Sequence, residues 1–307
     1  MNENPLVTVN ILSFNRKDEL RNTLTKVYEQ DYKNIEVIVV DNSSSDGSPE
    51  MVDKEFPKVQ LIKLKKNIGI AGWNEGFKVA KGEYVFVLDD DSYPMNKDII
   101  IHSLKFFSED NKLGVLGCKV INLNTGSIQI EESKKHEAIS FIGCGAFINT
   151  ALFPKIGFFN EKLFLYGHEN EFSMRVINTG YKIVITNQLI VLHAVSPKHR
   201  GIKKSVDHRR HYFFIRNTII TLFLHFDTPK AFIHSFRVVV SGLLWSLLNN
   251  CFLTSTKAFV EAVSIIMSHN LKKEILSKST QNYFDNGWYA GGLWNFNLRN
   301  RWKKWIK

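Results

Sequence analysis

Residues 85 to 94 read Val-Phe-Val-Leu-Asp-Asp-Asp-Ser-Tyr-Pro, an apolar strand that ends abruptly in three consecutive carboxylates, Asp89, Asp90 and Asp91. Like charges packed at a strand end repel one another unless a cation or a hydrogen-bonded ligand lies among them. Hard oxygen donors favour Mg2+ or Mn2+ over zinc. A solvated acidic turn after an edge strand is the alternative, and the surrounding sequence has to decide between the two.

Upstream of the carboxylates the pattern alternates. Leu6 to Leu12 reads as a strand, Asp18 to Glu29 as a helix, and Ile35 to Val40 as a buried strand followed by Asp41-Asn42-Ser43. Pro49 to Phe56 predicts a helix, Val59 to Leu64 a strand, Ala71 to Ala80 a helix and Tyr84 to Leu88 the strand before the acids. This alternation predicts an α/β fold with a mostly parallel sheet flanked by helices. Such sheets gather ligands at the carboxyl ends of their strands, where Asp41, Asn67 and Asp89 to Asp91 all fall.

Beyond Leu113 the apolar runs shorten, and Ala138 to Ile148 is broken by Gly143-Cys144-Gly145, whose small residues permit a close backbone approach or a tight sheet crossing. Glu169 to Thr179 predicts a helix closed by Gly180, with strands over Lys182 to Thr186 and Ile190 to His193. After about residue 210 the chain reads as helical, with apolar stretches over Phe213 to Phe226 and Ala231 to Leu253. The sequence therefore divides into an α/β unit over 1–220 and a helical, apolar and basic region over 221–307.

The chain has 307 residues, 44% hydrophobic, enough for one large core with an appendage. Cys118, Cys144 and Cys251 have no CxxC spacing, so neither a disulfide framework nor a zinc site is expected. No basic region followed by an apolar segment opens the chain, which argues against a signal peptide and for a cytoplasmic location. The net charge of +10 calls for an anionic partner: nucleic acid, a phosphate-rich small molecule or an anionic membrane face. Basic residues concentrate late, in Lys198-His199-Arg200, Lys203-Lys204, Arg209-Arg210 and Arg299 to Lys307. The uncharged stretch Val238 to Ser255 is marginal for a bilayer span and suits an interfacial or core helix better. The aromatic and basic run Trp294 to Trp305 suits either a headgroup surface or a packed tail.

Two further constellations carry chemistry. In Asn67-Ile-Gly69-Ile-Ala71-Gly72-Trp-Asn74, small residues at a helix start allow backbone amides to approach an anion, and Asn67 and Asn74 offer polar groups. Neither a Walker A motif nor GxGxxG is present. In His168-Glu169-Asn170-Glu171, followed by Arg175, two acids open an amphipathic helix, which holds a base rigidly or simply caps the helix. Glu169 and Glu171 cannot share a helix face, so one is expected at the ligand and the other in support. His193 after its strand reads as structural or as a ligand. Farther on, Tyr212 and Arg216 supply a hydroxyl and a cation suited to a diphosphate or to nucleic acid.

Taken together, Val7 to Arg16, Ile38 to Gly47, Asn67 to Gly76, Leu88 to Asp91 and the Glu169 helix resemble a family 2 glycosyltransferase, closest to its bacterial rhamnosyl- and galactofuranosyltransferase-like branch. The resemblance covers residues 6 to about 220. It implies a GT-A fold and a cofactor, Mn2+ or Mg2+. The implied reaction is inverting transfer of a sugar from a nucleotide donor, a UDP- or dTDP-sugar, to a hydroxyl of a glycan or lipid-linked glycan in cell-surface polysaccharide synthesis. It implies a donor site built from Asn15, Asp41, Asn67, Gly69, Gly72, Asn74, Asp89 and Asp90. Asp89 and Asp91 match the outer residues of the DxD motif, His193 matches a histidine that completes the metal shell in some members, and Glu169 matches the base. His168, Glu171, Arg175, Tyr212 and Arg216 are expected in support or at the acceptor. Many relatives have Glu-Asp-x-Asp where this chain has His168 to Glu171, a departure that bears on reach and acceptor choice. The competing readings are a metal-dependent nucleotidyl- or phosphoryl-transfer enzyme, a catalytically dead sugar-nucleotide scaffold and an RNA-binding protein. No RRM, KH or helix-turn-helix signature is present, so no nucleic-acid partner is expected. The apolar C-terminal region suits peripheral contact with the inner membrane face or a homodimer.

Overall fold

The computed structural model describes residues 4–124, 135–194, 208–268 and 271–291. The basic runs at 198–204 and 299–307 and the Trp294 to Trp305 run lie outside the described residues.

The first half builds as the alternation predicts: β1 (Val7–Ser13), α1 (Lys17–Tyr28), β2 (Ile35–Asp41), α2 (Ser48–Glu55), β3 (Gln60–Lys63), α3 (Gly72–Val79) and β4 (Tyr84–Asp89). The strands are parallel in the order β3-β2-β1-β4. Period-two alternation sends Phe86 and Leu88 of β4 to one face and Val85 and Val87 to the other. On the first face they meet Leu20 and Leu24 of α1, Met51 of α2 and, from α4 (Ile99–Glu109), Phe106 and Phe107. On the second they meet Trp73 and Phe77 of α3 and Phe172 and Val176 of α6 (His168–Asn178). Each such buried side chain is worth ~1.5–3 kcal/mol of transfer free energy, so both faces specify the register.

Past β4 the sheet is mixed. The chain turns after Asp91 into the short β5 (Ser92–Pro94), and Ser92 locks the turn: its Oγ accepts from the Asp89 N–H at 2.8 Å. The remaining strands are β6 (Leu113–Asn122), β7 (Lys135–Glu137), β8 (Ala146–Asn149) and β9 (Lys182–His193), with a four-residue α5 (Phe153–Ile156) after β8. β8 inserts antiparallel between β4 and β6, while β9 runs parallel to β6, and β5 and β7 pair antiparallel with β9. The expected mostly parallel sheet is thus parallel only over β3-β2-β1-β4 and β6-β9. Apolar alternation reveals a strand without its direction. The two predicted strands over 182–186 and 190–193 are one strand, irregular between Cys118 and Lys119 of its partner.

These directions position the site. β6 and β9 run the same way as β4, so β9 ends, at His193, on the same sheet edge as Asp89. Antiparallel β8 begins on that edge, which brings the 3-10 turn Gly143–Gly145 there too.

The helical region comprises α7 (His208–His225), α8 (Thr228–Leu248), α9 (Phe252–Met267) and α10 (Lys278–Gly291). Residue 220 falls inside α7, whose Ile215, Ile219 and Leu222 pack with Leu163, Met174, Ala258 and Phe284 in a third core cluster. The apolar stretch over 231–253 is helical as expected but is broken at Asn249 to Cys251. Asn250 takes φ +54°, a left-handed conformation that asparagine tolerates better than most residues, and Asn249 Nδ2 donates to the Trp245 carbonyl at 2.7 Å. Among the described residues α8 is the one helix long and apolar enough to cross a membrane by length and composition, with 28% of its most apolar window buried.

Candidate active site

At the sheet edge Asp91 is buried and Asp89 partly exposed. His193 Nε2 lies 3.1 Å from Asp91 Oδ1 and 3.9 Å from Asp89 Oδ2. Cys144 Sγ approaches His193 Nδ1 at 3.8 Å, and the ligand atoms of Asp89, Cys144 and His193 all lie within 4.8 Å of one another. Burial, with the charges of Asp89, Asp91 and Glu169 added to it, holds the Cys144 thiol well above its ordinary range, so it stays protonated. Carboxylate oxygens and one imidazole make a donor set that fits Mn2+ or Mg2+ better than a thiolate-seeking metal. The role of Cys144 was missed in the sequence, where the flanking glycines were the only signal.

Arg16 closes the acid cluster from β1's side, with Nη1 2.7 Å from Asp90 and 3.1 Å from Asp91. Burial works against its charge, but Asp90 and Asp91 outweigh that and raise its pKa. Asp90 departs from the donor-binding expectation. Its Oδ2 accepts from the Phe14 N–H at 2.9 Å and its Oδ1 from Arg16, which turns it toward the protein and away from the crevice. Burial pushes Asp90 up to about 7, against the pull of Arg16 and with Asp91 adding to the rise.

The β2 end carries Asp41, buried, with Oδ2 accepting from the Ser44 N–H at 3.0 Å. Asp41 Oδ1 is buried without a hydrogen-bond partner among the described residues, a costly state unless a ligand donor meets it. Asn15, at φ +54°, accepts from the Ser45 N–H through Oδ1 at 2.7 Å and so ties the β1 and β2 end loops together.

The glycine-rich loop serves differently from the expectation. Gly69 has φ +66°, and a Cβ there would lie 2.0 Å from the Phe164 carbonyl oxygen; one at Gly72 would lie 2.4 Å from Leu12 Cδ1. The close approach these glycines permit is to the chain itself. Asn67 Oδ1 accepts from the Gly69 N–H at 2.8 Å. Asn74 gives both ends of its amide to the Phe159 backbone, at 2.9 and 3.1 Å, and so clamps a loop instead of facing a ligand. Asn42, overlooked in the sequence, bonds Ile68 N–H and the Gly69 carbonyl and holds this loop against Asp41.

Glu169 sits in the first turn of α6, whose N-cap is Gly167 at φ +79°, where the helix dipole favours an acid. Its Oε1 accepts from the Gly143 N–H at 3.4 Å, and Oε2 lies 3.2 Å from His168 Nδ1. The buried His168 ring packs between Trp73 and Phe159, with centroids 5.6 and 4.9 Å away. The absence of a side chain at Gly143 eases this approach, because a Cβ would stand 3.2 Å from both Glu169 Oε1 and His168 Nε2.

Four expected supporting residues are used internally. Glu171 is buried, with Arg175 Nε and Nη2 at 2.9 and 2.7 Å and His225 Nε2 at 2.8 Å, so both its oxygens are taken. Burial pushes Glu171 up, but Arg175 and His225 outweigh it and pull the carboxyl down to about 2. Arg175 also donates to the Ile156 and Phe158 carbonyls. Tyr212 and Arg216 both bond Glu261 of α9, which removes them from the expected diphosphate site. Arg216 and Asn217 instead hold the Lys162, Leu165 and Tyr166 carbonyls, fixing the segment that leads to Glu169.

A mixed α/β sheet with carboxylates at its strand ends and an acid at the start of a nearby helix is the arrangement of the GT-A architecture. The model of Glycosyl transferase family 2 matches residues 8–169, and the chain belongs to that family. It is 36% identical over 115 residues to the Escherichia coli protein UDP-Glc:alpha-D-GlcNAc-diphosphoundecaprenol beta-1,3-glucosyltransferase WfaP, covering 34% of this chain and 45% of that one. It is 32% identical over 112 residues to the putative teichuronic acid biosynthesis glycosyltransferase TuaG of Bacillus subtilis, covering 35% and 44%. The chain thus spans less than half the length of these two relatives. Among solved structures, a mannosyltransferase from Pyrobaculum calidifontis in complex with GDP-Man and Mn2+ shares the fold at a TM-score of 0.58 and 18% identity, over 93% of this chain and 80% of that one. S. aureus TarS 1-349 in complex with UDP-GlcNAc does so at 0.59 and 21%, over 85% and 80%.

Proposed function

We propose that the chain is an inverting, metal-dependent glycosyltransferase. It moves a sugar from a UDP- or dTDP-sugar to a hydroxyl of a glycan or lipid-linked glycan, on the cytoplasmic side, in cell-surface polysaccharide synthesis. One arrangement carries this reading: consecutive residues of the turn that starts β8 touch both halves of the chemistry, Gly143 reaching Glu169 and Cys144 reaching His193. An acid and a carboxylate–imidazole group therefore stand beside the same turn, near enough to serve one donor and acceptor pair.

In this reading Asp41 receives a donor group of the nucleotide base through Oδ1, and Asn15 and Asn42 keep its loop in register. Asp89, Asp91 and His193 would hold Mn2+ or Mg2+, which would supply charge neutralisation for the diphosphate leaving group. Glu169 takes the proton of the acceptor hydroxyl, and a general base of this kind contributes about 10²–10⁴-fold. The Gly143 N–H orients the Glu169 carboxylate, with His168 packed beside it. The names of WfaP and TuaG, which concern a lipid-linked acceptor and teichuronic acid, support an envelope-glycan acceptor.

The test is calorimetric titration of UDP, dTDP and GDP, each with and without Mn2+, into the chain and its Asp91→Ala variant. Mn2+-dependent binding of one nucleotide, lost in the variant, is the expected result. Failure of all three to bind would remove the reading.

A further inference from the structure

We propose that the outward faces of α8 and α9, with the Asn249–Asn250 turn between them, form an in-plane docking surface for an anionic lipid bilayer. The inference rests on those faces and is independent of which sugar is transferred.

Both helices invert the usual order of side-chain size. The residues that α8 turns inward are small or short: Ala231, Ser235, Val238, Gly242 and Ser246. Gly242 lets α8 press onto α7, since a Cβ there would meet Ile215 Cδ1 at 2.7 Å. Its large apolar side chains face out, with Phe232 61%, Phe236 71% and Leu244 51% exposed. α9 repeats the pattern, burying Ser255, Ala258 and Ala262 while Val260 stands 59% exposed. The densest point is the connecting turn, where Leu248 and Leu253 are 67% and 82% exposed. A helix pair facing water carries its large apolar residues inside, and a contiguous patch of this kind marks an interaction surface.

Charge selects lipid as the occupant. α8 contains no acidic residue, and α9 contains one, Glu261, which is tied to Tyr212 and Arg216. Arg237 and Lys257 are exposed on the two helices, where the Glu261 side chain is 41% exposed but held by Arg216, and the segment after α9 adds exposed Lys272 and Lys273 beside Glu274. Cations rimming an apolar face complement anionic headgroups, whereas a two-fold pairing of this face with a second copy would set Arg237 and Lys257 among their own kind. Arg237 also argues for in-plane seating and against a span: it lies near the middle of α8, where a bilayer core would enclose it. The inner faces remain on α7, so the seated surface stays joined, through Arg216 and Asn217, to the segment leading to Glu169.

Flotation of the full chain with vesicles tests this. Phosphatidylcholine vesicles should recover little protein, and vesicles with about 30% phosphatidylglycerol should recover about tenfold more, an excess that falls at high salt. Phe236→Ser with Leu248→Ser should lower recovery on both compositions, and Arg237→Gln with Lys257→Gln should erase the difference between them. Melting temperatures near wild type identify the variants as folded. The wild-type comparison stands even if a variant fails to fold. Absence of wild-type flotation on the anionic vesicles overturns the proposal. So does a dimer in sedimentation equilibrium that Phe236→Ser with Leu248→Ser converts to monomer.

Discussion

His193 at the end of β9 and Asp91 after the end of β4 meet at 3.1 Å although 102 positions separate them, because β4 and β9 point the same way in the sheet. With the Asp89 carboxylate 3.9 Å from the same nitrogen, the pair forms the natural seat for a hard divalent cation. Replacing Asp91 by Asn should weaken Mn2+-dependent nucleotide binding by about tenfold or more. Calorimetry with and without EDTA reads this, and unchanged metal dependence in the variant would exclude Asp91 as a ligand.

Glu169 should affect turnover and leave binding alone. Glu169→Gln keeps the shape and loses the base, so kcat should fall about 10²–10⁴-fold while nucleotide affinity holds. Glu169→Asp keeps a carboxylate at shorter reach and should recover part of the rate. Equal loss of nucleotide affinity in Glu169→Gln would assign the residue to the donor site instead.

Glu171 should matter for stability. Removing its charge leaves the buried Arg175 without its counter-ion and disturbs the His225 hydrogen bond, a loss of ~3–5 kcal/mol for a broken buried pair. Thermal melting of Glu171→Gln should show it. The pH dependence has a definite sign: the folded carboxyl is pulled from 4.5 to about 2, so its stabilisation is complete above the unfolded value and disappears as pH falls from there toward 2. A wild-type melting temperature flat across that window would contradict the assignment.

His211 gives a second window. Its Nε2 lies 2.7 Å from Ser255 Oγ and its ring 4.3 Å from Trp245, and burial, with His208 adding to it, lowers the imidazole from 6.5 to about 4. The unfolded chain therefore binds the proton more readily, and stability is lost as pH falls from 6.5 toward 4. His211→Gln should flatten that part of the melting-temperature profile; an unaltered slope would assign it to other groups.

Gly69→Ala tests the glycine-rich loop. The left-handed backbone costs a non-glycine residue ~1–2 kcal/mol, and the new methyl collides with the Phe164 carbonyl. A lower melting temperature is expected, together with weaker nucleotide binding as Asn42 and Asp41 lose their support. A melting temperature equal to wild type would show that Phe164 moves aside.

The first four strands and their helices were legible because their information is local: short apolar runs, amphipathic helical spacing between them and acids at strand ends. The same locality made Asp41, Asp89, Asp91 and Glu169 visible as candidates. It could not separate Asp90 from its neighbours, because that depends on Phe14 and Arg16 approaching from the loop after β1. Nor could it assign Glu171, Arg175, Tyr212 and Arg216 to internal ion pairs, since His225 and Glu261 lie about 50 residues away in the chain.

The sequence by itself determined the α/β alternation, the acid-bearing strand end, the acid-led helix and the apolar character of the C-terminal helices, all set by side-chain chemistry at fixed local spacing. Tertiary structure alone decided that β8 runs backward, and with it that Gly143 and Cys144 stand between Glu169 and His193. It also decided which carboxylates face the crevice and which way the large side chains of α8 and α9 point. Strand direction and helix rotation are fixed by packing between distant segments, where burial and charge pairing are collective and no single stretch of sequence holds them.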